Sequence, residues 1–190
     1  PRYVDGFEKG LDFLGDEEEL RTNLSAHHAI SELFGGYKIS LHSGSDKFSI
    51  YPLAAEATEG LVHLKTSGTS YLCALEVIAR HDGPLLARIW DISRAAYARS
   101  RASYQVSAHE DRTPVSLDGV DTAALIAAPD SRQILHVGYG DSLGAADENG
   151  MPISERLHTV LEAHHAEYTE VLAAHIGRHL APFAQPVTVA

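Results

Sequence analysis

The alternation of apolar and polar positions divides the chain into helical and extended stretches. Residues 16–34 carry apolar side chains at mostly helical spacing and acidic side chains in the first turn, which predicts a helix that Gly35-Gly36 ends. Residues 37–44 and 61–67 instead alternate apolar with polar side chains, which is the period of a strand with two different faces. Further helices are predicted over residues 45–58, 71–80, 85–104 and 154–180, and a third strand over residues 133–140.

The order of these elements, with helices between successive strands, predicts an α/β fold whose parallel sheet is built from right-handed crossovers. A TIM-type (β/α)8 barrel takes roughly 250 residues, and three strands are too few to close one. We therefore expect residues 1–190 to form a single domain that is the C-terminal part of a larger α/β barrel, with additional helices. An open α/β sheet is the structural alternative.

Composition narrows the classes of partner. The chain has 190 residues, 44% of them hydrophobic, and a net charge of -11 at pH 7. Such a surface does not attract nucleic-acid phosphates or anionic lipids, so we expect a small molecule or another protein as partner. Cys73 is the only cysteine, which excludes an intrachain disulfide and fits a reducing, cytoplasmic setting. The sequence has no apolar run of the roughly 18 residues that span a bilayer, and it starts without a secretion signal.

Three polar side chains lie towards the C-terminal ends of the predicted strands: His42, Lys65 and His136. Active sites of α/β barrels are assembled at that end. Imidazoles suit a divalent metal ion such as zinc, manganese or nickel, and an ammonium suits a carboxylate or a developing oxyanion. For each histidine, a hydrogen-bonded strand residue without a ligand is the alternative. His63 shares a strand face with Lys65 but lies deeper or at the other end.

Two strand-to-helix turns offer backbone and hydroxyl donors that suit an anion, at residues 44–47 and 67–70. From these turns we predict substrate contacts, although ordinary helix capping explains the turns about as well. The predicted contacts are Ser43, Lys47, Thr66 and Thr69. His175 and His179 are four apart on a predicted helix and could bind a metal, but a solvated helix face is the favoured interpretation.

Four segments resemble the tagaturonate epimerase family, also described as tagaturonate/fructuronate epimerases. The longest is residues 38–52, with the sequence KISLHSGSDKFSIYP, and the others are residues 6–10, 63–71 and 175–180. Members of that family are similar to metal-dependent barrel enzymes and are considerably longer than this chain, with the additional part on the N-terminal side. The resemblance implies interconversion of D-tagaturonate and D-fructuronate in cytoplasmic hexuronate breakdown.

The resemblance also implies roles for individual residues. We expect His42 and His136 to bind the metal, Lys65 or Lys38 to contact the substrate carboxylate, and Asp46 to act as the base that takes a hydroxyl proton. The two sugars differ in configuration at the second carbon from the ketone. Simple enolisation would affect only the carbon directly next to the ketone, whereas retro-aldol cleavage and re-addition would invert the second carbon. A missing carboxylate ligand is expected in the absent N-terminal part.

Two other interpretations compete with this one. The first is another metal-dependent barrel sugar isomerase or aldolase. The second is an inactive fragment that associates with another copy through its open sheet edge, which makes a homo-oligomer part of that interpretation. In either case the 190-residue chain is expected to be incomplete as a catalyst on its own.

Overall fold

The computed structural model describes residues 5–42, 46–66 and 68–184, apart from the side chain of Thr69. These residues are mostly helical and include one small sheet. The chain divides into two compact units, Pro1–Ser67 with Ala174–Ala190 and Gly68–Ala173, and each is described by itself. The single domain expected from the sequence stays a prediction.

The first unit begins with helix α1, Glu17–Leu33. Asp16 caps it, because its carboxylate accepts a 2.8 Å hydrogen bond from the backbone N–H of Glu19. Two short strands follow, β1 at Ile39–Leu41 and β2 at Val62–Leu64, with helix α2 at Tyr51–Ala57 between them. The core of this unit packs α1 and α2 against the sheet through Phe13, Leu20, Leu24, Leu41, Ile50, Tyr51, Leu53 and Ala54.

The sheet confirms the predicted parallel pairing. Leu41 pairs with Leu64 in a parallel ladder, and Ser40 lies opposite His63. The hydroxyl of Ser40 is 3.2 Å from Nδ1 of His63, so this histidine is a hydrogen-bonded strand residue. The register also fixes the ends of the sheet: His42 and Lys65 both follow the paired leucines at the C-terminal end, whereas Lys38 precedes β1 at the other end.

The described residues of the second unit form helices joined by loops, with one isolated bridge between Ala146 and Pro152. Its helices are α3 at Thr69–His81, α4 at Gly83–Ser100, α5 at Thr122–Ala127, α6 at Pro129–Val137, α7 at Tyr139–Leu143, α8 at Ile153–Ala163 and the first part of α9 at His165–Leu180. Trp90 of α4 is completely buried, and its indole N–H donates a 3.0 Å hydrogen bond to the carbonyl of Pro114. Most of the core surrounds α3, α4 and α6.

The predicted third strand is wrong. Residues 133–137 lie in α6, which starts at Pro129, a residue well suited to a first helical turn. Ile134, Leu135, His136 and Val137 are all buried, so this helix has apolar neighbours on several sides. A short apolar run buried in this way has no helical periodicity that would separate it from a buried strand.

The predicted helices are confirmed with changes at their ends. The predicted helix over residues 154–180 is two helices, since α8 ends at Ala163 and α9 begins at His165. The fold class is confirmed only in its coarser part, a mostly helical chain with a small two-stranded parallel sheet, and the barrel stays a prediction. None of the helices in the described ranges is both long and apolar enough to cross a membrane.

An ion-pair network in the second unit joins α8 to the start of α4. The guanidinium of Arg156 binds both carboxylate oxygens of Asp82, at 2.9 and 2.7 Å, and also lies 3.1 Å from Asp147. Asp82 in turn caps α4, because it accepts a hydrogen bond from the backbone N–H of Leu85. Burial opposes ionisation of Asp147, but the backbone N–H groups of Met151 and Asn149 and the guanidinium of Arg156 hold its pKa below the usual value.

We expect Arg156→Met to lower the thermal midpoint of unfolding by roughly 5 °C, because it leaves two sheltered carboxylates without their cation. Arg99→Met is the matched control: Arg99 pairs with Asp141 but is 75% exposed, so its loss should shift the midpoint by about 1 °C or less. Thermal denaturation followed by circular dichroism compares the two. Equal shifts in both variants would contradict a special role for the Arg156 network.

Candidate metal centre

Three side chains of the first unit that could bind a metal ion lie together: Asp46, His175 and His179. One ligand atom from each lies within 4.8 Å of the other two. Oδ1 of Asp46 is 2.7 Å from Nε2 of His175 and 3.3 Å from Nε2 of His179. The most exposed of the three side chains, His175, is 12% exposed, so the group is largely sheltered from bulk water.

The backbone places Asp46 shortly after β1 in an uncommon conformation. Its φ angle is 62°, in the left-handed region that few residues other than glycine adopt. Strain of this kind is often found where a side chain must be directed at a functional site. Here it accompanies a carboxylate that lies against two imidazoles and is buried.

Helix α9 places the two histidines. Residues four apart lie on the same helix face, so His175 and His179 project together. Nδ1 of His179 is 3.0 Å from the backbone oxygen of His175, and it donates to that oxygen when the ring carries its proton on Nδ1. Its Nε2 accepts a 3.4 Å hydrogen bond from the backbone N–H of Asp46 and lies 3.3 Å from the carboxylate of the same residue. Metal-binding histidines are commonly oriented by such a hydrogen bond from the other ring nitrogen.

Aromatic residues line one side of the group. The ring of Phe48 lies 5.4 Å from the His175 ring and 4.7 Å from the His179 ring, both at steep angles. Tyr51 is buried 5.5 Å from the His179 ring, and burial raises the pKa of its phenol to about 12. The phenol therefore stays protonated at neutral pH, and its oxygen accepts a hydrogen bond from the backbone N–H of Lys47.

Lys47 is buried, and its ammonium donates to the backbone carbonyls of Glu8 and Leu11. Burial lowers the pKa of Lys47 to about 8, although the carboxylates of Asp12, Asp46 and Glu8 oppose that shift. These contacts fasten the segment before α1 to the turn that carries Asp46. The structure thus gives Lys47 a packing role, and the predicted substrate contact of Lys47 stays a prediction.

The structure separates the other predicted site residues. His42 and Lys65 are exposed neighbours at the C-terminal end of the sheet, as predicted, and Lys38 is exposed at the opposite end. Lys38 and Lys65 therefore lie at different ends of the sheet. Thr66 is partly buried, whereas Ser43 and the side chain of Thr69 lie outside the described residues.

His136 is not at a strand end, because the strand on which that placement rested is helix α6 of the second unit. Its ring is buried against the backbone of Gly68, where an added Cβ would lie 2.5 Å from Nε2. The prediction that His136 and His42 bind one metal ion stays a prediction.

The expectation that His175 and His179 are solvated is wrong. His179 is 1% exposed, and both rings contact the Asp46 carboxylate. Their spacing of four residues was the available signal, but a helix face cannot be recognised as buried until its neighbour is known. The neighbour is the turn with Asp46, which is distant along the chain.

A second group in the described residues could also hold a metal: His81, His164 and Glu167 of the second unit. The rings of His81 and His164 are stacked 3.5 Å apart and nearly parallel, so their in-plane lone pairs do not converge on one point. Glu167 is bound by Arg80 at 2.6 Å and by His81 at 2.6 Å. The carboxylate of Glu167 is therefore paired with Arg80 and His81, and the ring of His164 stacks on His81.

Comparison with known proteins agrees with the fold of this chain. The chain is 39% identical over 181 residues to the tagaturonate/fructuronate epimerase of Thermotoga maritima, and the match covers 94% of this chain. Crystal structures of the fructuronate-tagaturonate epimerase UxaE from Cohnella laeviribosi, native and with glycerol, match 95% of this chain with a TM-score of 0.86 and 32% identity.

The chain spans 37% of the length of both the Thermotoga relative and the native Cohnella structure. The family model described as tagaturonate epimerase matches residues 1–183, which is nearly all of the sequence. The resemblance found in four short segments therefore extends along the chain. This protein chain belongs to the tagaturonate epimerase family.

Proposed function

We propose that this chain supplies the metal-binding part of an epimerase that interconverts D-tagaturonate and D-fructuronate in hexuronate breakdown. The observation that carries the proposal is the group of Asp46, His175 and His179 in a chain of this family. The remaining length of the relatives would supply the rest of the substrate pocket. In this proposal the enzyme is cytoplasmic, and its substrate is a small sugar acid.

The donor set fits a divalent metal ion. Two imidazoles and one carboxylate suit first-row ions such as zinc, manganese and nickel. Nε2 of His179 accepts a 3.4 Å hydrogen bond from the backbone N–H of Asp46 and lies 3.3 Å from Oδ1 of the same residue. A divalent cation bound beside these two atoms would be attracted by the carboxylate and would accept the lone pair of the imidazole. The carboxylate ligand that was expected outside the chain is thus available within it, as Asp46.

A metal ion held there would supply Lewis-acid stabilisation of negative charge on the ketone oxygen. The reaction we propose is a retro-aldol cleavage followed by aldol addition. A base takes the proton from the hydroxyl on the carbon to be inverted. The bond between this carbon and the carbon next to the ketone then breaks, and the electron pair of that bond moves towards the ketone oxygen. The aldehyde fragment then presents its other face, the bond re-forms, and the proton returns to the new hydroxyl.

The residues of this chain have separate tasks in that scheme. His175 and His179 hold their nitrogens on one helix face, and the hydrogen bond from Nδ1 keeps the His179 ring from rotating. Phe48 and the buried Tyr51 keep water from one side of the group. Asp46 suits a ligand better than the predicted base, because it already lies against both histidines.

We also propose that the strands and helices of this chain form part of a larger α/β barrel. The parallel pairing of β1 and β2 across α2 is the repeating unit of such a fold. His42 and Lys65 lie at the sheet end where barrel enzymes assemble their sites, which keeps His42 as a candidate metal ligand and Lys65 as a candidate substrate contact.

The test compares the chain alone with a hybrid in which it replaces the matching 181-residue segment of the Thermotoga relative. Conversion of D-fructuronate to D-tagaturonate with added divalent metal is the measurement. We expect the hybrid to be active and the 190-residue chain to be at least about 100-fold slower, because displaced catalytic groups lose rate steeply. A folded, metal-loaded hybrid without epimerase activity would contradict the proposed function.

A further inference from the structure

We propose that Arg178 binds the carboxylate of the sugar acid beside the metal centre. The inference rests on the proposed function, because it assigns the acidic end of that substrate to a residue of the same site. It also replaces the earlier expectation that Lys65 or Lys38 makes this contact.

The position of Arg178 on α9 is the first step. Residue 178 is three positions after His175, so the two side chains are neighbours on the surface of the helix. A ligand that reached those imidazoles would pass close to the Arg178 side chain. The charge therefore lies at the rim of the candidate metal centre.

Phe48 fixes the guanidinium at that rim. Cζ of Arg178 lies 3.9 Å from the centre of the Phe48 ring, a stacking distance. The same ring contacts His175 and His179 at 5.4 and 4.7 Å between centroids. One aromatic side chain thus holds the cation and both imidazoles in a common arrangement before any substrate binds.

Arg178 is available to an acidic ligand. It is exposed, and within the described ranges it makes no ion pair, unlike Arg21, which binds Glu56 at 2.7 Å. A guanidinium that is stacked by its face keeps its edge free, and the edge presents parallel N–H donors that match a carboxylate. The chain has a net charge of -11, so most of its surface repels anions. A guanidinium that is unpaired in the described part of the chain and has a fixed orientation at this site therefore favours binding of an acidic ligand here.

A lysine is less suited to the same task. The ammoniums of Lys38 and Lys65 lie on flexible stems at opposite ends of the sheet, and both residues are exposed. Arg178 has a planar fork with a fixed orientation, so less conformational entropy is lost when a carboxylate binds. We infer that this contact selects sugar acids over neutral sugars.

Equilibrium binding to the metal-loaded 190-residue chain tests the inference without requiring catalysis. Nuclear magnetic resonance titrations with D-fructuronate and with neutral D-fructose give a dissociation constant for each. We expect Arg178→Met to weaken D-fructuronate binding by about 10-fold or more and to leave D-fructose binding within about 2-fold. Arg178→Lys should fall between the parent and Arg178→Met, and Phe48→Leu should weaken D-fructuronate several-fold while the charge remains.

Metal content, measured on the same samples, should be unchanged in the Arg178 variants. A parent that binds D-fructuronate no better than D-fructose would overturn the inference, as would an Arg178→Met variant that weakens both sugars equally. The proposed function fails by a different result, a hybrid enzyme that carries metal and binds D-fructuronate through Arg178 but does not epimerise it.

Discussion

Asp46→Asn is expected to weaken divalent-metal binding by this chain by about 100-fold or more. The amide keeps the size of the carboxylate but removes the negative charge that a divalent ion needs beside two neutral imidazoles. His179→Gln should have a comparable effect, because the hydrogen bond to the carbonyl of His175 directs the ring nitrogen of His179 towards the site. Mutation of a residue that only hydrogen-bonds to a metal ligand typically lowers metal affinity by about 10–100-fold. Removal of the ligand itself should lower metal affinity at least as much.

Isothermal titration with nickel or zinc checks this, with His158→Ala as the matched control. His158 is a helical histidine that is 72% exposed, so its loss should leave metal affinity within about 2-fold. The same titration separates the two roles considered for Asp46. If Asp46 were only the base, Asp46→Asn would bind metal normally and the hybrid enzyme would lose activity, which would contradict its role as a ligand.

Gly68→Ala is expected to destabilise the second unit by about 3 kcal/mol, the sum of backbone strain and overpacking. The φ angle of Gly68 is 93°, which L side chains rarely adopt. The new methyl would lie 2.5 Å from Nε2 and 2.6 Å from Cε1 of His136. That ring is 2% exposed, so it has little room to move away.

Gly119→Ala is the control that measures the energy of backbone strain without a steric collision. Gly119 is in the same unit with a φ angle of 70°, and an added Cβ would meet nothing within 4 Å, so we expect a loss of about 1 kcal/mol. Combining Gly68→Ala with His136→Ala should recover part of the stability, because the second change removes the atoms that collide. Urea unfolding compares the parent with Gly68→Ala, Gly119→Ala, His136→Ala and the double variant. Equal losses in the free energy of unfolding at the two glycines would contradict a collision between the new methyl group and His136. Strict additivity of Gly68→Ala and His136→Ala would contradict it as well.

The sheet could be predicted because its strands alternate strictly. Ser40 and His63 face the same side and Leu41 and Leu64 the other, so periodicity was sufficient, and the parallel pairing followed from the helix between the strands. The same reasoning placed His42 and Lys65 at a common end of the sheet. Local pattern is enough where one face of an element differs from the other.

The third strand could not be distinguished from a helix by pattern. Ile134, Leu135, His136 and Val137 are all buried in α6, so polar positions do not mark an outer face there. His136 was consequently placed at the end of a strand, and its pairing with His42 as a metal ligand stays a prediction. Its burial against Gly68 depends on packing between helices α3 and α6, which sequence spacing does not encode.

The residues of the candidate metal centre could be predicted only in part. Asp46 was singled out from its turn and from the family resemblance, but His175 and His179 were taken for a solvated pair because isolated helical histidines usually are. Their contact with Asp46 joins residues 129 positions apart along the chain, and only the tertiary structure reveals it. Arg178 escaped notice for the same reason, since its relation to Phe48 is also long-range.

A zinc-bound crystal structure of this chain tests the account most directly. Anomalous scattering locates the ion independently of any assumed ligands. The account predicts a peak about 2.0–2.2 Å from a carboxylate oxygen of Asp46 and from one nitrogen each of His175 and His179. A peak at His81, His164 and Glu167 with none at Asp46 would contradict it, as would crystals that bind zinc at neither group.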